Sequence, residues 1–337
     1  MKAGSRQTVG IKDVAKAAGV SPATVSRALG RGPVSAELRE RVQTVARAIG
    51  YRPNLSARRL RSQEARTIGL IVADVRNPFF TAVSRAVEDI AYAQGMRLVL
   101  CNTDENPERE AFYIRAMQEE RVTGLILAPS RATLKAMETG FSIDVPTVLI
   151  DRATPACGHD AVMTDNLNAA AALAEHVAAQ GFSKIAGLFG ASSTTGAERE
   201  AGFRSALAER GLPATSRFVA PNAAAAEAAF KTLWTEHRPD AVVVSNSLLA
   251  LGVLRAVDDL GLTIPADIGL AAFDDEPWTR LVRPALTVIA QPIDEIGKAA
   301  MRLLSDRIDR GASQDSQTVL LPGRLIARGS TSGRPTA

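Results

Sequence analysis

The chain has 337 residues, 46% hydrophobic, 23% charged and 4% aromatic, an ordinary globular balance with material for two or three domains. No apolar run approaches the ~18 residues of a membrane span, and the start, Met1-Lys2-Ala3-Gly4-Ser5-Arg6, has no secretory apolar stretch. Two cysteines (Cys101, Cys157) and three scattered histidines (His159, His176, His237) make neither a disulfide framework nor a zinc-ligand spacing. The expectation is a soluble, cytoplasmic chain without membrane partner, metal or other cofactor. The net charge of +4 is divided unevenly. Residues 1–62 hold 13 Lys/Arg against 3 Asp/Glu, and the remainder is acidic by 6. A basic head on a slightly acidic body suggests a polyanion-binding module joined to something else.

In chain order, Ile11, Val14, Ala15 and Ala18 recur at helical spacing, and Gly19 supplies a tight turn. Val20 is expected as a buried pivot. Ser21-Pro22 is a helix start, a hydroxyl N-cap followed by proline at the first helical position. The helix from Pro22 to Leu29 turns Val25, Ala28 and Leu29 inward and leaves Ala23, Thr24, Ser26 and Arg27 on or near its outer face. A third helix, capped by Ser35, runs from Ala36 to about Ile49. This pattern predicts a helix-turn-helix that enters the major groove of double-stranded DNA. Arg27 can bond guanine O6 and N7 bidentately, and Ser21, Thr24 and Ser26 are short enough to bond phosphates. For Ser21, capping and phosphate binding are compatible.

The segment Asn54-Leu55-Ser56-Ala57-Arg58-Arg59-Leu60-Arg61 is too short and too basic to persist alone as a helix, so it is expected to fold on DNA. From Thr67 onward, strand candidates Ile68–Ala73, Arg97–Cys101, Gly124–Ala128, Thr147–Ile150, Ala161–Met163, Lys184–Phe189, Ala241–Val244, Ile268–Ala272 and Leu286–Ala290 alternate with helical stretches. Among the latter are Phe80–Gln94, Asn106–Glu120, Asn168–Gln180, Arg199–Arg210, Ala223–His237 and Ser247–Leu260. Such alternation predicts parallel sheets with helices on both faces, and ligands beyond the carboxyl ends of the strands.

The run Ile11-Lys12-Asp13-Val14-Ala15-Lys16-Ala17-Ala18-Gly19-Val20-Ser21, then Ala23-Thr24-Val25-Ser26-Arg27-Ala28-Leu29 and Gly50-Tyr51-Arg52-Pro53-Asn54, resembles the lactose-repressor/galactose-repressor family of bacterial transcription regulators. The resemblance continues through Asn77-Pro78-Phe79-Phe80, Asn102-Thr103, Asp151-Arg152, Asp165-Asn166, Ala201-Gly202-Phe203, Ala250-Leu251-Gly252, Phe273-Asp274-Asp275, Gln291-Pro292 and Leu325 to Thr331. It implies a helix-turn-helix over 8–53, a hinge helix and linker over 54–65, and a body like periplasmic sugar-binding proteins. Lobe one would hold 66–162 and 291–331, and lobe two 163–290, joined by three crossovers. It implies DNA contacts at Ser21, Pro22, Ala23, Thr24, Ser26, Arg27, Tyr51, Asn54 and Ala57, with Leu60 as a minor-groove wedge. It implies effector contacts at Phe79, Phe80, Asp151, Arg199, Asn246, Asp274 and Gln291. Carboxylates accept from sugar hydroxyls, arginine donates, and an aromatic ring covers an apolar sugar face. Phe80 reads equally as core, and Asp275 as a helix cap. The chain departs from the family at Asn246-Ser247, Gly181-Phe182-Ser183, Asp165 to Ala170 and Pro221-Asn222-Ala223.

An enzyme is disfavoured, because there is no phosphate loop, nucleophile elbow or His-Glu-x-x-His. The expected function is a ligand-responsive, sequence-specific transcription regulator, a repressor. It binds a pseudo-palindromic operator as a homodimer and is switched by a small metabolite such as a sugar or sugar acid. The alternative, a small-molecule-binding protein of periplasmic type without regulatory DNA binding, leaves the basic head unexplained.

Overall fold

The computed structural model describes residues 9–30, 32–51, 66–310 and 315–333. The chain divides into two units, residues 1–65 and 66–337. The expected hinge residues Asn54, Ala57 and Leu60, with the linker to residue 65, lie outside the described residues.

In the first unit, helices α1 (Ile11–Ala18), α2 (Pro22–Leu29) and α3 (Ala36–Ala48) are each stopped or started by a local polar device. The Asp13 carboxylate accepts the Gly10 N–H at 2.8 Å. Gly19 closes α1 in the left-handed region at φ 66°. The hydroxyls of Ser21 and Ser35 accept the N–H groups of Thr24 and Leu38, satisfying donors that a helix start leaves orphaned. Val14, Ala15, Ala18, Val25, Ala28, Val42 and Ala46 form the small core. Val20 and Leu29, expected inside, are only half-buried at its margin, because three short helices cannot enclose the residues at their ends.

The second unit contains two six-stranded sheets. The first has the order β11-β5-β4-β3-β1-β2 and the second β12-β10-β9-β8-β6-β7. The strands of the first sheet are β1 (Thr67–Val72), β2 (Arg97–Asn102), β3 (Gly124–Leu127), β4 (Thr147–Ile150), β5 (Asp160–Thr164) and β11 (Thr318–Leu321), paired in parallel throughout. Alternate residues serve opposite faces. Leu70, Val72, Ile126, Val148 and Val162 pack on α4 (Pro78–Ala93) and α11 (Ile293–Arg310). Ile71, Leu125, Leu127 and Leu149 pack on α5 (Pro107–Glu119) and α6 (Arg131–Glu138).

The second sheet comprises β6 (Ile185–Gly190), β7 (Thr215–Val219), β8 (Ala241–Val244), β9 (Gly269–Phe273), β10 (Thr287–Ala290) and β12 (Arg324–Ile326). Its faces are covered by α7 (Asn166–Ala179) and α8 (Thr194–Glu209) on one side, and by α9 (Ala223–His237) and α10 (Ser247–Asp259) on the other. The chain passes between the sheets after β5, after β10 and after β11.

Several sequence expectations are corrected here. The sheets are not wholly parallel, since β12 runs antiparallel to β10. Residues 324–331, grouped with lobe one, belong with the second sheet: β12 pairs there, and Ser330 and Thr331 bond Thr287. Strand β5 also reaches Thr164 in the first sheet, beyond the expected boundary at 162. Helix α8 starts at Thr194, five residues before the expected Arg199, because the Ser193 hydroxyl caps Gly196 N–H. Elements α6, α11, β11 and β12 are not among the candidates read from the sequence. β7, β11 and β12 are edge strands of five, four and three residues, too short for a periodicity to stand out.

Close helix packing in the second lobe depends on two glycines. A Cβ on Gly202 of α8 would stand 2.1 Å from the Leu167 carbonyl oxygen, and one on Gly252 of α10 would stand 2.1 Å from that of Ala223. Backbone cannot yield as a flexible side chain can. Gly202→Ala is therefore expected to lower stability by about 1–3 kcal/mol in urea unfolding. An unchanged midpoint would mean that α7 and α8 can separate at no cost.

Candidate functional site

Parallel strands deliver their carboxyl ends, and the helix N-termini that follow, to one edge of each sheet. Asn77 follows β1 and caps α4 through Phe79 N–H. Asn246 follows β8 and caps α10 through Leu249 N–H. Asp151 and Asp274 follow β4 and β9, the third strand from the same end of each sheet. Both have left-handed backbone, φ 66° and 78°. Each donates its N–H to the neighbouring strand, Asp151 to Val162 O and Asp274 to Ile289 O. The two lobes therefore present equivalent carboxylates.

Phe79, Phe80, Asp151, Arg199, Asn246, Asp274 and Gln291 line a single narrow cleft. Phe79 and Phe80 meet edge to face, with centroids 5.1 Å apart. Both also belong to the core beneath α4, so Phe80 is core and lining at once. The cleft includes further residues, among them Asp74, Glu105, Arg152, Ser192, Ser193 and Thr195. Their common signal is position: each lies in a strand-to-helix connection or in the first turn beyond it. Asp275 does not line the cleft. It accepts from the Thr279 hydroxyl and pairs with Arg280 and Arg328, anchoring the chain beside Asp274.

Arg199 is 5% exposed. It donates to three neutral acceptors, Asn166 Oδ1 at 2.8 Å, Gln291 Oε1 at 3.2 Å and the Ser245 carbonyl. Its guanidinium lies 3.9 Å over the Phe273 ring. Burial depresses its pKa, opposed by the nearby charges of Asp274 and Asp151. Gln291 relays this arrangement, donating to Asp274 at 2.6 Å and accepting from Thr164 at 2.8 Å. Asp274 also accepts the Ser247 N–H. On the first lobe, Arg152 grips Glu105 through both terminal nitrogens, at 2.8 and 2.6 Å, and donates from Nε to Asp151 at 3.2 Å. Burial pushes the Asp151 carboxyl above its usual range, with the Arg152 and Arg199 charges opposing. Across the cleft, Arg131 donates to the Ser193 carbonyl at 2.8 Å. The cleft thus offers carboxylate acceptors, amide and guanidinium donors and aromatic surface, a set suited to a polyhydroxylated molecule.

On α2, Pro22, Ala23 and Arg27 are exposed, while Thr24 and Ser26 are half-buried. Ser21 and Thr24 share a hydroxyl hydrogen bond of 2.9 Å. Tyr51 is half-buried in a notch with Leu29, Gln43, Ala46 and Arg47. Among the described residues no group of three or more His, Cys, Asp and Glu could hold a metal, and no helix is long and apolar enough to cross a membrane.

A carboxyl whose pKa is raised on folding favours the folded state most when protonated, and it loses that contribution as pH rises through the folded value. Asp151→Asn is therefore expected to gain stability relative to the parent between about pH 4, the ordinary aspartate pKa, and pH 7. Thermal unfolding across that range measures the gain, and a constant difference would contradict the burial of a charge at Asp151.

The model for bacterial regulatory proteins of the lacI family matches residues 10–54, and that for a periplasmic binding protein-like domain matches residues 174–331. The HTH-type transcriptional regulator PtxS of Pseudomonas putida is 36% identical over 97% of this chain and 97% of its own length. DegA, an HTH-type transcriptional regulator of Bacillus subtilis, is 32% identical over 96% of this chain and 98% of its own. A crystal structure of the lac repressor dimer bound to operator and an anti-inducer superposes with a TM-score of 0.84, at 27% identity, covering 96% of this chain and 99% of that one. Head, body and full-length likeness agree, and the chain belongs to the lacI family of bacterial regulatory proteins.

Proposed function

We propose that this regulator represses transcription as a homodimer, reading a two-fold operator with paired α2 helices and releasing or gripping it according to a sugar-type metabolite in the cleft. It is a ligand-responsive DNA-binding regulator on this reading, and the relatives that it matches over nearly their whole length are HTH-type transcriptional regulators. The lac repressor structure is a dimer on operator DNA, which supports the same assembly for this chain. The observation that carries the proposal is the joint one: seven side chains expected to meet an effector converge in one cleft, in a chain whose head exposes Arg27 and the Ser21 hydroxyl on a helix of major-groove size.

The DNA contacts assigned are Ser21, Thr24 and Ser26 to phosphate and Arg27 to a guanine edge, with Pro22 and Ala23 giving shape and at most a thymine-methyl contact. The effector assignment places sugar hydroxyls against Asp151, Asp274, Asn246 and Arg199, with a ring face on Phe79 or Phe80. Gln291 lies immediately after β10, where the chain crosses between lobes, and is tied to Thr164, where it crosses after β5. A ligand that engages Arg199 and Asp274 therefore acts on two of the three crossovers. The Arg131 bond to Ser193 gives the lobes a direct contact whose geometry changes if they rotate.

Three measurements test this reading. A thermal-shift screen against sugars, sugar acids and purines is expected to find a compound that stabilises the protein by about 2.7 kcal/mol at 100 times its Kd. Asp274→Ala should abolish that shift while leaving DNA affinity without ligand nearly intact; a retained shift would move the site elsewhere. Arg27→Ala should cost about 1–3 kcal/mol and relax selectivity at one operator position. Equal losses on cognate and random DNA would make Arg27 a phosphate contact instead.

A further inference from the structure

Among the described residues of the head, one arginine is set apart by its surroundings. Lys12, Lys16, Arg27, Arg41 and Arg47 are exposed, whereas Arg39 on α3 is half-buried. Its Nη1 donates to the carbonyls of Ala28 at 2.8 Å and Gly30 at 2.6 Å, and its Nη2 donates to that of Gly32 at 2.8 Å. The Ala28 and Gly30 carbonyls lie at the C-terminal end of α2, where a helix leaves acceptors unpaired and a cation is favourable. The third carbonyl belongs to a glycine beside the reading arginine, with no room for a side chain between them. A Cβ on Gly32 would stand 2.9 Å from Cγ and 3.1 Å from Cβ of Arg27. Arg27 itself makes a long contact from Nε to Ala23 O at 3.5 Å, so its own helix holds its stem weakly.

We propose that Arg39 is a positioning residue for base recognition: by gripping the carbonyls of Ala28, Gly30 and Gly32 it fixes the end of α2 and holds residue 32 against the stem of Arg27. This limits the Arg27 guanidinium to the rotamers that project from the helix face. The inference rests on the reading of α2 as the recognition helix. Charge alone would count Arg39 among the phosphate-binding cations of the head. The structure commits its guanidinium to backbone, with hydrogen bonds to three separate carbonyls. Glycine at position 32 has a matching explanation, since any side chain there crowds Arg27.

The test uses the full chain and a duplex selected by the wild type from a random double-stranded library. If the wild type enriches no sequence, the reading of the head falls and this inference with it. With the selected duplex and its single-base variants, anisotropy titrations compare Arg27→Ala, Arg39→Met, Gly32→Ala and the Arg27→Ala/Arg39→Met pair. Arg39→Met is expected to reduce discrimination about five- to tenfold at the base pair whose preference Arg27→Ala abolishes, and to leave other positions unchanged. It should add nothing to Arg27→Ala at that position, and the salt dependence should keep its slope. A uniform loss on all duplexes, with the slope reduced by about 0.9 per arginine removed, would make Arg39 a phosphate contact and overturn the proposal. A lower unfolding temperature with base preference intact would make it merely structural and overturn it equally. Should Arg39→Met fail to fold, Gly32→Ala decides: it keeps the Arg39 charge and disturbs only the Arg27 stem. Retained preference in that variant overturns the proposal.

Discussion

Parallel pairing of buried strands is the constraint from which the rest of the body follows. A parallel strand has to be re-entered from the opposite edge, so each is followed by a helix or long connection and all the strand ends collect on one side. Two such sheets joined by three crossovers bring two sets of strand ends and helix N-termini to one cleft. Asp151 and Asp274 make the duplication visible. They occupy equivalent positions after β4 and β9, take the same left-handed backbone, and hydrogen-bond the adjacent strand in the same manner.

That arrangement is kept at some cost to stability. Left-handed backbone at a residue other than glycine costs roughly 1–2 kcal/mol, and both aspartates carry it. Each is followed by a residue fixed in an ion pair, Arg152 to Glu105 and Asp275 to Arg280 and Arg328, so the surrounding structure holds the strained turn in place. Arg199 is buried against an aromatic ring with neutral oxygens for hydrogen-bond partners, and burial disfavours the charge on Asp151. Charges held in this state are poorly solvated, and a ligand of the proposed kind would offer them hydroxyl partners. Gln291 belongs both to this polar group and to a crossover, which is the route by which the proposed effector would act on the relation of the lobes.

The head solves a different problem with far less apolar material. Seven small or medium side chains form its core, and serine caps, a left-handed glycine and Arg39 secure the helix ends that packing cannot reach. On the proposed function rigidity matters most at the end of α2, where a side chain would enter a groove in one orientation. There the sequence places Gly30 and Gly32, and the fold supplies a guanidinium from another helix to hold their carbonyls.

The helix-turn-helix was legible because its signals are local: helical periodicity over Ile11–Ala18, Gly19 at the turn, Ser21-Pro22 at the start of α2 and Ser35 before α3. The buried strands of the body were legible for a similar reason, as short apolar runs between turn residues, and the family resemblance picked out seven polar and aromatic positions that the fold gathers in one cleft. Tertiary structure alone decided the rest. Edge strands β7 and β11 are five and four residues long, too short for a period to stand out, and β12 joins the second sheet because its partner β10 lies there, a non-local fact. Arg152 and Asp275 read in sequence as a neighbour of Asp151 and a helix cap, and Arg39 carries no reading there. Their roles depend on carbonyls and charges 5 to 53 positions away in the chain, and only folding brings those together.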